Sequence, residues 1–196
     1  MKETYDKVKK INETVKIRND LTKKSNKGIM KKSIMRYVLI GLIIINCSVI
    51  FSFSSEKSEK SNNTSGKVVD VIVKLYPKTR NLEGKAKIDA KERIVMPIRK
   101  TAHFSIYMCL GFLIFSFTNT FNKINNYKKR ILISEFCTFI YACSDELHQY
   151  FVPGRSCEFR DVCIDSFGAL VGILLSFIII KLKNKKKFKI KNFWKI

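Results

Sequence analysis

The stretch YACSDELHQYFVPGRSCEFRDVCIDSFGALVG, residues 141–172, decides how this chain folds. Its first part closes an apolar run that starts at Ile131, and its last part belongs to another that reaches Ile180. Pro153 and Gly154 stand between them and stop a helix, because proline lacks the backbone donor and glycine favours the turn. The stretch therefore reads as the tip of two apolar helices joined by a short loop. Four carboxylates, Asp145, Glu146, Asp161 and Asp165, ride inside those helices.

Working outward, two more apolar runs appear, Tyr37 to about Phe53 and His103 to Phe121. About twenty apolar residues cross a bilayer, so the expected fold is all-α: a polytopic membrane four-helix bundle with helices at about 37–54, 102–121, 131–151 and 161–180. Ser52, Ser54 and Ser55 fall in the interface at the end of the first helix. A leader of 36 residues and the lack of an A-x-A site argue for a retained helix over a cleaved signal peptide. Between the first two spans, EKSEKSNNTSG reads as a linker. Val68, Val69, Val71, Ile72, Leu75 and Tyr76 follow helical spacing up to Pro77, which predicts a short amphipathic outer helix. The domain plan is thus a basic tail (1–36), a transmembrane domain (37–180) and a Lys-rich tail (181–196).

The net charge of +22, from 38 basic and 16 acidic residues, invites a nucleic-acid reading. Its distribution argues otherwise: the basic residues sit in tails and short loops between apolar runs, where membrane topology signals belong. Lys outnumbers Arg, the preferred base reader, so no nucleic-acid partner is expected. The loop 122–130 carries four basic residues in nine, against two in the loop after the third helix. The positive-inside rule then puts both termini in the cytoplasm and the long 55–100 segment outside. None of the six cysteines forms a CxxC pair, and most lie in apolar runs, so zinc is not expected and free thiols are.

On this topology the polar residues converge. At ~1.5 Å per residue, Asp145 lies ~21 Å up the third helix, Asp165 ~24 Å up the fourth and His103 ~27 Å up the second, all in the outer third of a ~30 Å core. Lys100, His103 and Tyr107 share one helix face; so do Asp145, His148 and Gln149. Asp161, Asp165, Gly168 and Gly172 share another, whose GALVG element lets a neighbouring helix approach closely. Arg155 sits in the loop above. Ionisable groups in membrane helices are functional candidates by default. The competing reading is a structural network in which Lys100 and Arg155 neutralise the four carboxylates. Glu135, alone near the inner face, reads as a structural partner of Lys128, Lys129 or Arg130.

The segments RKTAHFSIYMCLGF, YACSDELHQYFVPGRS and DVCIDSFGALVG closely resemble the VanZ-like family of membrane proteins, over about residues 37–180. The likeness falls on Lys100, His103, Phe104, Tyr107 and Gly111, then on Ser144, Asp145, Glu146, His148 and Gln149. It continues through Pro153, Gly154 and Arg155 to Asp161, Asp165, Gly168 and Gly172. The family takes its name from a low-level teicoplanin-resistance protein. The resemblance implies a multi-pass cell-envelope protein linked to antibiotic resistance of that kind, with no settled reaction.

Two readings follow. The first is a non-enzymatic protein whose outer-leaflet site, with Lys100, His103, Tyr107, Gln149 and Arg155 as ligand-binding candidates, takes a glycopeptide, a lipid headgroup or a lipid-linked cell-wall precursor. The second is a membrane-embedded enzyme acting on a headgroup or precursor, with His103, Asp145, Glu146, His148, Asp161 and Asp165 as catalytic candidates. No serine elbow, P-loop or HExxH motif supports it, so the first leads. No cofactor is predicted; Asp145, Glu146, Asp161 and Asp165 are the candidates for holding a divalent cation through hard oxygens. A proton-coupled transporter ranks third, since the cluster sits at one face rather than the midplane. Membrane lipids are expected partners, and homo-oligomerisation stays open.

Overall fold

The computed structural model describes residues 1–56, 71, 84–121, 124, 126–155 and 157–193. Its elements are α1 (Lys2–Ser54), α2 (Gly84–Thr118), α3 (Tyr127–Tyr150) and α4 (Phe159–Phe193), and no strand occurs among the described residues. The chain is a helical bundle, as its apolar runs predict. The expected outer amphipathic helix lies outside the described residues, except for Val71, which is helical.

All four helices outrun the apolar segments that announce them. The basic tail continues α1 back to Lys2, and α2 starts at Gly84, not near residue 102, running straight through Pro97. Lysine and glutamate are good helix formers, so most positions in those polar extensions continue a turn that the apolar part has nucleated, and α2 accommodates Pro97 within it. α4 runs on through the Lys-rich segment for the same reason.

Contacts along the helices set their directions. Lys100 meets Asp161, Phe104 meets Gly168, Met108 meets Gly172 and Ser116 meets Ser176, so α2 and α4 run parallel. α1 runs antiparallel to them: Arg36 bonds Thr120 near the end of α2, whereas Ser54 bonds Asp145 in α3. The α2–α4 seam is the tightest in the bundle. A Cβ on Gly168 would meet the Phe104 carbonyl, and one on Gly172 would meet Met108. Gly111 faces the Ala169 backbone from the other helix. The two glycines of GALVG thus do what their spacing predicts, with α2 as the neighbour.

Under the polar end, Ile50, Tyr107, Leu110, Ala142 and Val162 form the buried apolar cluster. The outward faces are apolar too: Ile44, Ile45, Leu132, Phe136, Phe167 and Ile178 are each at least half exposed. A water-soluble chain would not present so much continuous apolar surface, whereas lipid tails accept it. Three helical segments, Thr14–Ser54, Arg93–Thr118 and Phe159–Lys186, are long and apolar enough to cross a membrane.

Candidate functional site

One end of the bundle gathers the ends of α1 and α3 and the polar parts of α2 and α4. There a cavity of about 130 Å³ opens between α2, the α3–α4 loop and α4. Arg99, Lys100 and His103 line it from α2, Glu146 and Gln149 from α3, Arg155 and Glu158 from the loop, and Asp161 and Asp165 from α4. Most of the residues picked from the sequence are here. Tyr107 lies one turn below His103 and is fully buried.

The rim is a network of opposite charges. The Lys100 ammonium donates to Asp161 and lies 3.8 Å from Glu158. The Glu158 amide donates to Glu146 at 2.6 Å, which ties the loop to α3, and Arg160 donates to Glu158 at 3.1 Å from the exposed side. Arg155 closes the far wall by donating to the carbonyls of Phe53, at 2.6 Å, and Glu56, at 3.0 Å. Burial, and then the neighbouring Arg99, push its guanidinium down to about 10, so it stays charged at neutral pH. Its Nη1 has no hydrogen-bond partner among the described residues.

The floor is drier. Asp145 and Asp165 are only 5% and 4% exposed. Asp145 is not part of the cavity lining but lies just under it, beside His103 and Asp165, which are. Its Oδ2 accepts from Ser54 at 2.8 Å and from Gln149 at 3.2 Å. Asp165 lies 4.0 Å from His103 Nδ1. His103, Asp145 and Asp165 can each offer one ligand atom to a set in which all members lie within 4.8 Å of one another.

Two expectations change at this point. His148 shares a face with Asp145 in sequence, but the structure turns it toward α1. There it stacks on Phe51 with ring centroids 4.6 Å apart and lies 3.0 Å from the Ser55 hydroxyl. That hydroxyl already donates to the Phe51 carbonyl, so it accepts from the imidazole N–H, and His148 is not part of the cavity. The four carboxylates proposed as one cation set also divide: Asp145 and Asp165 meet at the floor with His103, while Glu146 and Asp161 are engaged at the rim. The sequence reading placed Ser54 only as an interface residue, and left out Arg99 and Glu158. A charged residue next to Lys100 and another three before Asp161 were the available signals.

Glu135 does not find the basic partners proposed for it. Arg130 instead donates to Asn119 and to the carbonyls of Phe121 and Ile124, and Glu135 Oε2 has no hydrogen-bond partner among the described residues. All six cysteines are free thiols.

No curated protein matches this chain, and no solved structure does. The sequence model of the VanZ/LLP1 family does match, over residues 38–180, a span that holds every cavity residue named above. With most of its length and all of its site inside that match, the chain belongs to the VanZ/LLP1 family.

Proposed function

We propose that this chain is a multi-pass protein of the cell membrane that lowers susceptibility to lipophilic glycopeptides of the teicoplanin type. Four helices cross the bilayer, both termini are cytoplasmic, and the cavity opens at the outer leaflet. There it binds an anionic group: a phosphate of a lipid headgroup or of a lipid-linked cell-wall precursor, or the drug itself. The observation that carries this reading is the placement of Arg99, Lys100 and Arg155 around one cavity. Arg155 already spends two donors on carbonyls and keeps Nη1 free for an anion.

The test compares teicoplanin susceptibility of a host carrying the wild-type chain, a Lys100→Met chain or neither, with membrane expression confirmed. Wild type should raise tolerance and Lys100→Met should abolish the gain. Equal susceptibility in all three hosts would overturn the proposal. Outside labelling of a cysteine placed at Arg155, in a chain freed of its own cysteines, checks the topology; labelling only from the cytosol would reverse it.

A second reading draws on the His103–Asp165 pair at the cavity floor. An imidazole beside a carboxylate is the usual arrangement for moving a proton near neutral pH, and it would suit an enzyme acting on the same headgroup or precursor. Turnover of a phosphorylated lipid by purified protein, lost in His103→Gln, would favour it over simple binding.

A further inference from the structure

Two dry carboxylates, Asp145 and Asp165, stand beside the His103 imidazole under the cavity. Lys100 and Arg155 make no direct ion pair with them: Lys100 is engaged with Asp161, and Arg155 with backbone carbonyls. Ser54 and Gln149 both donate to one oxygen of Asp145, and His103 Nδ1 stands 4.0 Å from Asp165, beyond hydrogen-bond range. Buried carboxylates this close repel each other unless a proton or a cation lies between them.

A second observation comes from α2. The Tyr107 side chain is completely buried, and its hydroxyl is directed at Asp145, beside Asp165, without forming a well-made hydrogen bond among the described residues. Buried hydroxyls nearly always have a partner. A bound group at the cavity floor, or water carried on it, would supply one.

The geometry points to a divalent metal ion held at the cavity floor by a ring nitrogen of His103 and one carboxylate oxygen each from Asp145 and Asp165. Small side-chain rotations close the present spacing to coordinating distances of about 2.1 Å. One imidazole with two carboxylates suits Mn²⁺ or Zn²⁺ better than Ca²⁺ or Mg²⁺, which prefer oxygen alone. Three protein ligands leave positions open toward the cavity, where water or a phosphate oxygen can bind. The rim cations would then hold the rest of that phosphate. This deepens the anion-binding reading and rests on it for the outer ligand; the ion itself needs only the three side chains.

The experiment uses full-length protein in detergent, stripped with a chelator and titrated with Mn²⁺, followed by calorimetry and by the paramagnetic resonance of the free ion. Mn²⁺ is the probe because the six free thiols would compete for Zn²⁺. One Mn²⁺ per chain is expected, with affinity at least tenfold lower in His103→Gln and in Asp165→Asn and unchanged in Glu135→Gln. Wild type that takes up no stoichiometric Mn²⁺ overturns the proposal, whatever the variants do. So does wild-type affinity in a monodisperse His103→Gln. A chain that binds no Mn²⁺ yet still raises teicoplanin tolerance sinks the metal centre alone. A chain that binds one Mn²⁺ at these residues without changing tolerance supports the centre and removes the susceptibility reading.

Discussion

The two ends of this bundle both bury charge, and they do so in opposite ways. At the end away from the cavity, Arg130 is 8% exposed and donates to Asn119 and to the carbonyls of Phe121 and Ile124. Arg36 donates to the Thr120 carbonyl at 2.9 Å and to its hydroxyl at 3.1 Å, and stacks over Phe121. Those acceptors lie just beyond the C-terminus of α2, in the segment leading to α3, where carbonyls lack the regular partners of a helix and the negative end of the helix dipole is close. The guanidinium groups answer a need created by the backbone. At the cavity end, the charges answer one another across an open space, and Arg155 retains an unpaired donor. Charge that closes a helix end is architecture; charge that surrounds a cavity and leaves donors spare is available to a ligand.

The harshest way to break the comparison is to separate α2 from α4, on which both ends depend. Gly172→Leu drives a side chain into the Met108 backbone. Overpacking a well-fitted seam costs about 1–3 kcal/mol, and backbone leaves less room to relax than a side chain does. Little monodisperse protein should be recovered in detergent, and any that is should have lost Mn²⁺ binding and thermal stability together. A stable Gly172→Leu chain would mean that the seam is looser than the structure has it.

Arg130→Ala separates the ends. It removes at least three hydrogen bonds from a charged group, and about 3 kcal/mol or more of stability should go with them. Thermal unfolding in detergent should shift downward, while the Mn²⁺ affinity of the folded fraction stays at the wild-type value. Lys100→Met should do the reverse. Asp161 and Glu158 are roughly a third to two-fifths exposed and can return to water, so stability should change by no more than about 1 kcal/mol. Binding of a phosphorylated lipid, read by native mass spectrometry or a pull-down, should fall about tenfold, close to 1.4 kcal/mol. Equal effects of the two variants on both readouts would erase the distinction between the ends.

The same contrast explains what the sequence disclosed. Apolar runs of the right length located the four helices, and GALVG located the close seam. Polar residues at helical spacing within those runs located the cavity, because charge is too costly there to be incidental. α3 shows the limit: it spans 24 residues, about 36 Å, yet it is not among the segments apolar enough to qualify as spans. Asp145, Glu146 and Gln149, which lower its hydropathy, are buried inside the bundle rather than against lipid, and average hydropathy cannot register that. His148 was misplaced because helix periodicity fixes a face only to within a quarter turn or so, and α1 supplied Phe51 and Ser55 at its edge. The partners of Arg130 were illegible since they are backbone carbonyls, which every residue carries.

The smallest expected effect probes the floor through a residue that touches no ligand. Ser54 is completely buried and donates to Asp145 Oδ2 at 2.8 Å, while Gln149 reaches the same oxygen at 3.2 Å. Ser54→Ala deletes the nearer donor and leaves the farther one, so Asp145 is held less firmly but is not stranded. A net loss of about 1 kcal/mol is expected in thermal unfolding. The hydroxyl competes with a bound cation for electron density on that oxygen, but it also fixes the carboxylate's orientation. If Asp145 is a metal ligand, Mn²⁺ affinity should therefore move by several-fold in Ser54→Ala and not at all in Ser116→Ala. Ser116 makes a comparable hydroxyl contact, at 2.9 Å to Ser176, in the α2–α4 seam and away from the cavity. Identical responses from the two serines would show that Asp145 is buried for packing alone, and the cavity end would then be no different in kind from the end that Arg130 closes.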